Sequence, residues 1–280
     1  MKSILRLSFW ESLERVSQRR LESGARATAA CYRTASGSER MRTLTLSIGS
    51  GRYRSRFCNA RFANASLAIA ALIVISASAH AQVRVTVERN TGKAATKEFK
   101  FKNVPAPAKD DAATKAAVTL LVGESDPAGG DISVLTDGLL PAKADEPKSN
   151  FYFASGSGGG RVRMDFGAAI EIKQVNSYSW HTGAGAPQVY LLYASDGAEI
   201  GFNAEPNANT DPNSCGWKLI TTVDTRKSGD GGQYGVSITA PHGILGKYRY
   251  LLFSFVATET DDDAGNTFYS EIDVIAKKTP

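Results

Sequence analysis

Few stretches of this 280-residue sequence have the residue types and spacing that chemistry needs. The densest in glycine is SGSGGGRVRMDFG, residues 155–167. A phosphate-cradling loop would follow its glycines with Lys-Ser/Thr and a helix, and a dinucleotide fingerprint would open a helix from G-x-G-x-x-G. Here Arg161 follows and the next residues alternate as a strand. The glycines therefore read as a flexible connection that lets the backbone pack closely. Cys215 with His181 or His242 has the types for a nucleophile–base pair, but it sits in DPNSCGW, a polar loop without a hydrolase signature, and reads as inert. G-x-S-x-G and H-E-x-x-H are absent. No pattern places the two carboxylates that a glycosidase sets across a cleft. TDDDAGN, residues 260–266, would need glycine at Asn266 and glutamate at Ile272 to be an EF-hand loop, so it reads as a solvated acidic hairpin. The sequence points away from an enzyme and toward binding.

Strands are the elements that would position any site. From residue 82 onward short runs follow one another: VRVTV, EFKFKNV, AVTLLV, NFYF, RVRMDF, IEIKQVNSYSW, QVYLLYA, WKLITTV, YGVSI, YRYLLFSFVA and TFYSEIDVIA. Each is rich in β-branched or aromatic residues and bounded by Gly, Pro, Asn or Asp. Only AKDDAATKAAV, residues 108–118, has the composition for a helical turn or two. The pattern predicts an all-β fold, an antiparallel β-sandwich of about 190 residues as one domain. YRYLLFSFV is apolar on both faces, which suits a central strand.

Charge separates the chain into two parts. Residues 1–81 carry thirteen Lys/Arg against four Asp/Glu, and residues 82–280 carry twenty against twenty-four. The formal charge of +5 thus belongs to the leader, and the acidic remainder argues against a nucleic-acid partner. Arg52, Arg54, Arg56 and Arg61 precede the apolar run LAIAALIVI, and Ala79-His80-Ala81 offers small residues for cleavage. This reads as a secretory signal peptide cut after Ala81, with Met41 as a possible true start. The alternative is an uncleaved anchor over residues 62–81. Cys31 and Cys58 leave with the leader and Cys215 stays alone, which rules out an intramolecular disulfide in the mature chain. The expected product is periplasmic, cell-surface or extracellular, with no stable membrane span after cleavage.

Taken in order, VLTDGLLP, NFYF, GRVRMDFGAAIEIKQVNSYSW, PQVYLLYASDGAEI, Trp217, RYLLFSFVAT and YSEIDV resemble the discoidin, or coagulation-factor type C, family of the galactose-binding-like superfamily. The resemblance covers residues 118–276 and implies a jelly-roll sandwich that binds rather than catalyses. Two departures stand out. Residues 151–153 replace the tryptophan that normally follows the first Asp-Gly, and a 19-residue insertion, 198–216, separates Asp196-Gly197 from Trp217. Residues 82–117 lie outside the resemblance, as extra strands or an extension. The resemblance also implies a structural Ca²⁺, with Asp137 and Glu271 as ligands, backbone carbonyls of residues 123–137 as helpers, and Asp145 as a further candidate. Calcium takes six to eight oxygens and suits irregular loops. The alternative is that Asp137 caps a turn while Glu271 faces solvent.

A sugar site needs an aromatic face and polar groups that fix hydroxyls. Trp180 and His181 end a strand and enter the TGAGAP loop, and Phe202 lies in the insertion; Tyr152 and Arg163 are further ligand-binding candidates. Trp180 alternates with Tyr178 and Asn176, so it is equally a core residue by pattern; Trp217 begins a strand and reads as core; Arg163 reads as a solvated sheet-face arginine. The expectation is a secreted, non-catalytic module for carbohydrate or envelope glycan. The alternative is a structural or protein–protein interaction domain of the envelope with no small-molecule site.

Overall fold

The structure is a computed structural model that describes residues 83–258 and 266–277. Every described residue belongs to one compact unit. The leader, its cleavage point and most of the acidic hairpin lie outside the described residues.

Among the described residues eight antiparallel strands form the fold: β1 (Arg84–Asn90), β2 (Ala117–Val122), β3 (Gly159–His181), β4 (Val189–Ser195), β5 (Lys218–Asp224), β6 (Gly232–Thr239), β7 (Gly246–Val256) and β8 (Tyr269–Ala276). Among the described residues helical structure is confined to 3₁₀ turns, and no helix is long and apolar enough to cross a membrane.

The organising element is β3. RVRMDF and IEIKQVNSYSW, separate runs by pattern, are one 23-residue strand. Its first half pairs with β2 and β7, and its second half with β6 and β8. The change occurs at Gly167, whose φ of 75° favours glycine. There the register with β7 also shifts, between Asp165 and Ile170. One strand thereby runs through two sheets, β2-β3-β7-β4-β5 and β1-β6-β3-β8. Val162, Met164, Tyr190, Leu192, Leu251, Phe253 and Phe255 of the first pack against Val175, Val236, Ile238, Ile272 and Val274 of the second. This is the expected antiparallel sandwich, and β7 is the central strand that its two-faced apolarity predicts.

Each sheet also carries a cover on its outer face. Over the first lies the insertion 198–216: Phe202 packs with Tyr193, Trp217, Tyr250 and Leu252. The Arg161 guanidinium, nearly buried, donates from one nitrogen to the carbonyls of Pro206 (3.3 Å), Asn207 (2.5 Å) and Thr210 (2.9 Å). Over the second sheet lies a strap from the N-terminal extension, which also supplies β1. Asn103 and Val104 donate backbone N–H groups to Glu88 on β1, the Tyr178 hydroxyl of β3 donates to the Pro105 carbonyl, and Ala108 donates to Asp273 on β8. EFKFKNV is therefore not a strand. Phe99 takes a φ of 49°, which ends an extended run, and the segment is held by side chains of the sheet that it crosses. The helical expectation for residues 108–118 reduces to one 3₁₀ turn, Ala113–Lys115, before β2.

NFYF makes only two isolated bridges, Phe153 to Ser125 and Phe151 to Tyr269. The glycine run behaves as a close-packing connection. A Cβ on Gly160 would stand 2.1 Å from the Val122 carbonyl oxygen, so only glycine lets β2 and β3 approach there.

Candidate functional site

His181 ends β3 at the edge of the sandwich where loops 123–158, 182–188 and 225–231 meet. The loop after it is firmly held. Gln188, fully buried, donates to the Ser177 carbonyl and the Ser179 hydroxyl, and Ser179 in turn donates to the Ala186 carbonyl at 2.5 Å. Thr258 and Thr267 donate to the carbonyls of Ala184 (2.7 Å) and Pro187 (2.6 Å). Gly231 and Phe268 donate backbone N–H groups to Gly183 and Gly185. Loops on a rigid sheet scaffold are where binding groups usually sit.

On this support the His181 ring is oriented by two contacts. Its Nδ1 accepts from the Gly183 N–H at 3.1 Å, so the neutral ring carries its proton on Nε2. Nε2 stands 3.5 Å from Asp145 Oδ1. Phe268 packs against the ring at 4.3 Å between centroids, and Tyr152 stacks on Phe268 at 4.0 Å with 8° between planes. Burial, with the charges of Asp126 and Asp145, pushes the Tyr152 phenol above its usual range and keeps it a hydroxyl. The array offers a half-buried imidazole N–H and an exposed carboxylate, with the phenol of Tyr152, a residue only 7% exposed, behind them. Hydroxyl-rich ligands are bound by such groups.

The structure thus brings together His181 and Tyr152 from the ligand-binding set and Asp145 from the metal set. It places the other ligand-binding candidates elsewhere. Trp180 points to the outer face of the second sheet, 7% exposed, edge-on to Phe99 at 5.6 Å. Phe202 lies over the first sheet, 5.3 Å from Trp217, itself a core residue. Arg163 lies on that same outer face, not solvated as its pattern suggests but only 13% exposed, with a guanidinium nitrogen 3.0 Å from Glu205. Phe268 was not singled out by pattern, because TFYSEIDV reads as one alternating run with no sign that its first aromatic stacks outside the core.

The metal candidates divide as well. Asp137 Oδ1 accepts from the Leu139 N–H at 2.8 Å, a turn-capping bond. Glu271, however, does not face solvent: it is fully buried, and Oε2 accepts from the Gly138 N–H at 2.9 Å. Its other oxygen receives no hydrogen bond, and burial, followed by the Asp273 charge, pushes its carboxyl up to about 9. Asp273 and Asp111 lie close by, each with one buried oxygen lacking a donor, and burial raises both carboxyls. A buried carboxylate oxygen without a donor requires a proton or a cation. Among the described residues no three His, Cys, Asp or Glu side chains are set as a ready metal cage. A cation at Glu271 would have to complete its shell with backbone carbonyls, as calcium does. Cys215 is half-buried, and burial, followed by the Asp211 charge, raises its thiol, which disfavours the thiolate.

No family model and no curated protein matches the chain. Among solved structures it is similar in fold to chitosan-binding module 1 of a chitosanase/glucanase from Paenibacillus sp. IK-5, at 16% identity and a TM-score of 0.35, covering 59% of this chain and 98% of that one. It is similar to CpGH89CBM32-5 from Clostridium perfringens, solved with GalNAc-β-1,3-galactose, at 15% and 0.38, covering 60% and 100%. It is also similar to the lectin binding domain of Lectinolysin, solved with Lewis b, at 10% and 0.40, covering 61% and 99%. At these values the likeness carries nothing about what this chain binds.

Proposed function

We propose that this protein is an exported, non-catalytic β-sandwich module that binds carbohydrate through the loops around His181. The observation that supports this most is the convergence of His181, Asp145 and Tyr152 at one end of the sandwich, on a loop fixed by buried hydrogen bonds. In this reading His181 Nε2 donates to a sugar hydroxyl, Asp145 accepts from a neighbouring one, and the half-buried rings of Phe268 and His181, backed by the buried Tyr152, meet a sugar C–H face. Binding in water also requires displacement of solvent from these groups, so a weak single-site affinity is expected.

Calcium belongs to the same proposal as a structural ion. Glu271 and the 137–138 turn would hold it with backbone carbonyls, and it would tie the closing strand to the first long loop. Asp145 is assigned to the ligand site instead, because its partner is His181.

A glycan-array screen of the full chain, with and without calcium, tests the reading. Saccharide binding that His181→Ala and Asp145→Asn both abolish, with melting curves preserved, is the expected result. One observation favours the alternative of a protein–protein interaction or structural domain: Tyr152, Phe268 and His181 already stack on one another, which occupies ring faces that a sugar would use. No retained saccharide, with capture of an envelope protein that His181→Ala does not disturb, would replace the first reading by that one.

A further inference from the structure

Charge is unevenly distributed over the sandwich. Residues 84–115 carry eight Lys/Arg against four Asp/Glu, whereas residues 116–280 carry twelve against twenty. Within the basic segment two of the four acids, both half-buried, are taken up by backbone N–H groups. Glu88 accepts from Asn103 and Val104, and Asp111 accepts from Ala113 and Val274. The lysines are turned outward: Lys93, Lys97, Lys100 and Lys102 are all exposed, with Glu98 the one acid among them.

This arrangement follows from the way the strap is anchored. In KEFKFK, residues 97–102, Phe99 is fully buried against Tyr178 and Trp180, and Phe101 stacks on Tyr178. Phe101 also lies against Gly235 of β6, where a Cβ would stand 2.6 Å from its ring. Between and beside the pinned rings, Lys100 and Lys102 are left exposed to solvent. The Thr96 and Lys100 carbonyls are held by Gln233 at 2.7 Å and Asn90 at 2.8 Å. The lysines therefore project from a fixed backbone rather than a loose tail, and less ordering is needed when they meet a partner.

We propose that this lysine row is a second binding surface, on the outer face of the β1-β6-β3-β8 sheet, for an anionic polysaccharide. It lies on the outer face rather than among the loops around His181, although Asn90 and Gln233, which hold the strap, stand beside the Trp180–His181 end of β3, and it does not depend on the reading of that site. The chemistry favours a charged polymer over the other polyanions. A lipid surface would be joined by apolar side chains beside the cations, but the exposed large hydrophobics among the described residues are Val87, Leu139 and Ile200, none of them on the strap. Single-stranded nucleic acid would stack on exposed rings, and here the rings point inward. What remains is a cluster of point charges on a turned but firmly held backbone, which suits carboxylate, sulfate or phosphate groups spaced along a flexible chain.

Retention of the full chain on immobilised polygalacturonate and dextran sulfate tests this, alongside phosphatidylglycerol vesicles and duplex DNA. The expected result is retention on at least one of the two polysaccharides that disappears toward about 1 M salt, where the screening length falls to about 3 Å. Changing Lys93, Lys97, Lys100 and Lys102 together to Gln should weaken binding about tenfold or more, as loss of a focused positive surface implies. Changing Lys143, Lys173, Lys218 and Lys247 to Gln removes the same charge from dispersed exposed positions and should leave most of the binding in place. The pairs Lys93/Lys97 and Lys100/Lys102 are also changed separately, each with an intermediate loss expected, so that a folding defect in the quadruple variant does not decide the matter. Equal losses from the row and the dispersed set overturn the proposal, as does absence of retention on both polysaccharides at low salt. Vesicles or DNA bound as tightly through the same lysines would overturn the assigned class.

Discussion

Replacement of Glu271 by glutamine separates the two ways of satisfying a buried acid. The Glu271 carboxyl is fully buried, accepts from Gly138 and has one oxygen without a donor. Burial, and then the Asp273 charge, carries it from 4.5 to about 9. Folded, it therefore binds more protons than unfolded between those values, so its contribution to stability falls as pH rises through that window and is undiminished below it. At pH 7, about 2.5 units above the unfolded value, the cost is about 3 kcal/mol at 1.36 kcal/mol per unit. Glutamine keeps an acceptor for the Gly138 N–H, supplies an amide donor toward the neighbouring carboxylates and does not titrate. In chelator, Glu271→Gln should then be more stable than the parent at pH 7, by about 6–12 °C in melting temperature for a domain of this size. The parent's loss between pH 5 and 8 should shrink, with the remainder due to Asp273 and Asp111, which burial also raises. Calcium should reverse the order. A ligand at a hundredfold excess over its Kd adds about 2.7 kcal/mol to the folded state that binds it, and the glutamine variant lacks the anionic ligand. Thermal melts from pH 5 to 8, in chelator and in calcium, check both halves. A parent curve that is flat with pH in chelator would refute the burial argument, and a parent that ignores calcium would remove the ion.

Other consequences are simpler. Trp180→Ala should destabilise by about 3–5 kcal/mol, the usual cost of a large buried aromatic, because its ring closes the small core under Phe99; urea melts measure it. Gly160→Ala should cripple folding, since its Cβ would collide with the Val122 carbonyl, whereas Gly158→Ala, with nothing within 4 Å, should melt like the parent. Arg161→Met should release the insertion: loss of a guanidinium shared by three carbonyls costs about 2 kcal/mol, and limited proteolysis should then cut within residues 198–216.

The contrast between these positions shows which parts of the fold were legible. Strand β7 declares itself by apolarity on both faces, since a central strand covered on both sides has no polar face to show. The corner in β3 does not. RVRMDF and IEIKQVNSYSW read as two strands with a turn after Phe166, and only the partners of each half reveal one strand bent through two sheets. Phe99 and Phe101 alternate as strand residues do, yet their backbone finds side-chain partners on the sheet below instead of a neighbouring strand. Alternation reports that one face is buried; it does not report what satisfies the backbone.

The same limit governs the candidate sites. His181 could be singled out because it ends a strand before a glycine-rich loop, and Glu271 because it recurs in the closing motif of a resembling family. Their partners could not. Asp145 comes from a distant loop, and Asp111 and Asp273 meet only because the strap crosses to β8, where Ala112 and Val274 share a backbone hydrogen bond. Trp180 and His181 are neighbours in sequence, so opposite facing along β3 sends them to different fates: one into a packed aromatic core, the other to the loop end beside a carboxylate. A strand-end pair of ligand-like residues therefore offers one candidate to solvent and one to packing. The cover over the outer face decides which, and most of that cover, Ala95, Phe99, Phe101 and Val104, comes from outside the resembling region, with Leu140 and Ala144 from within it.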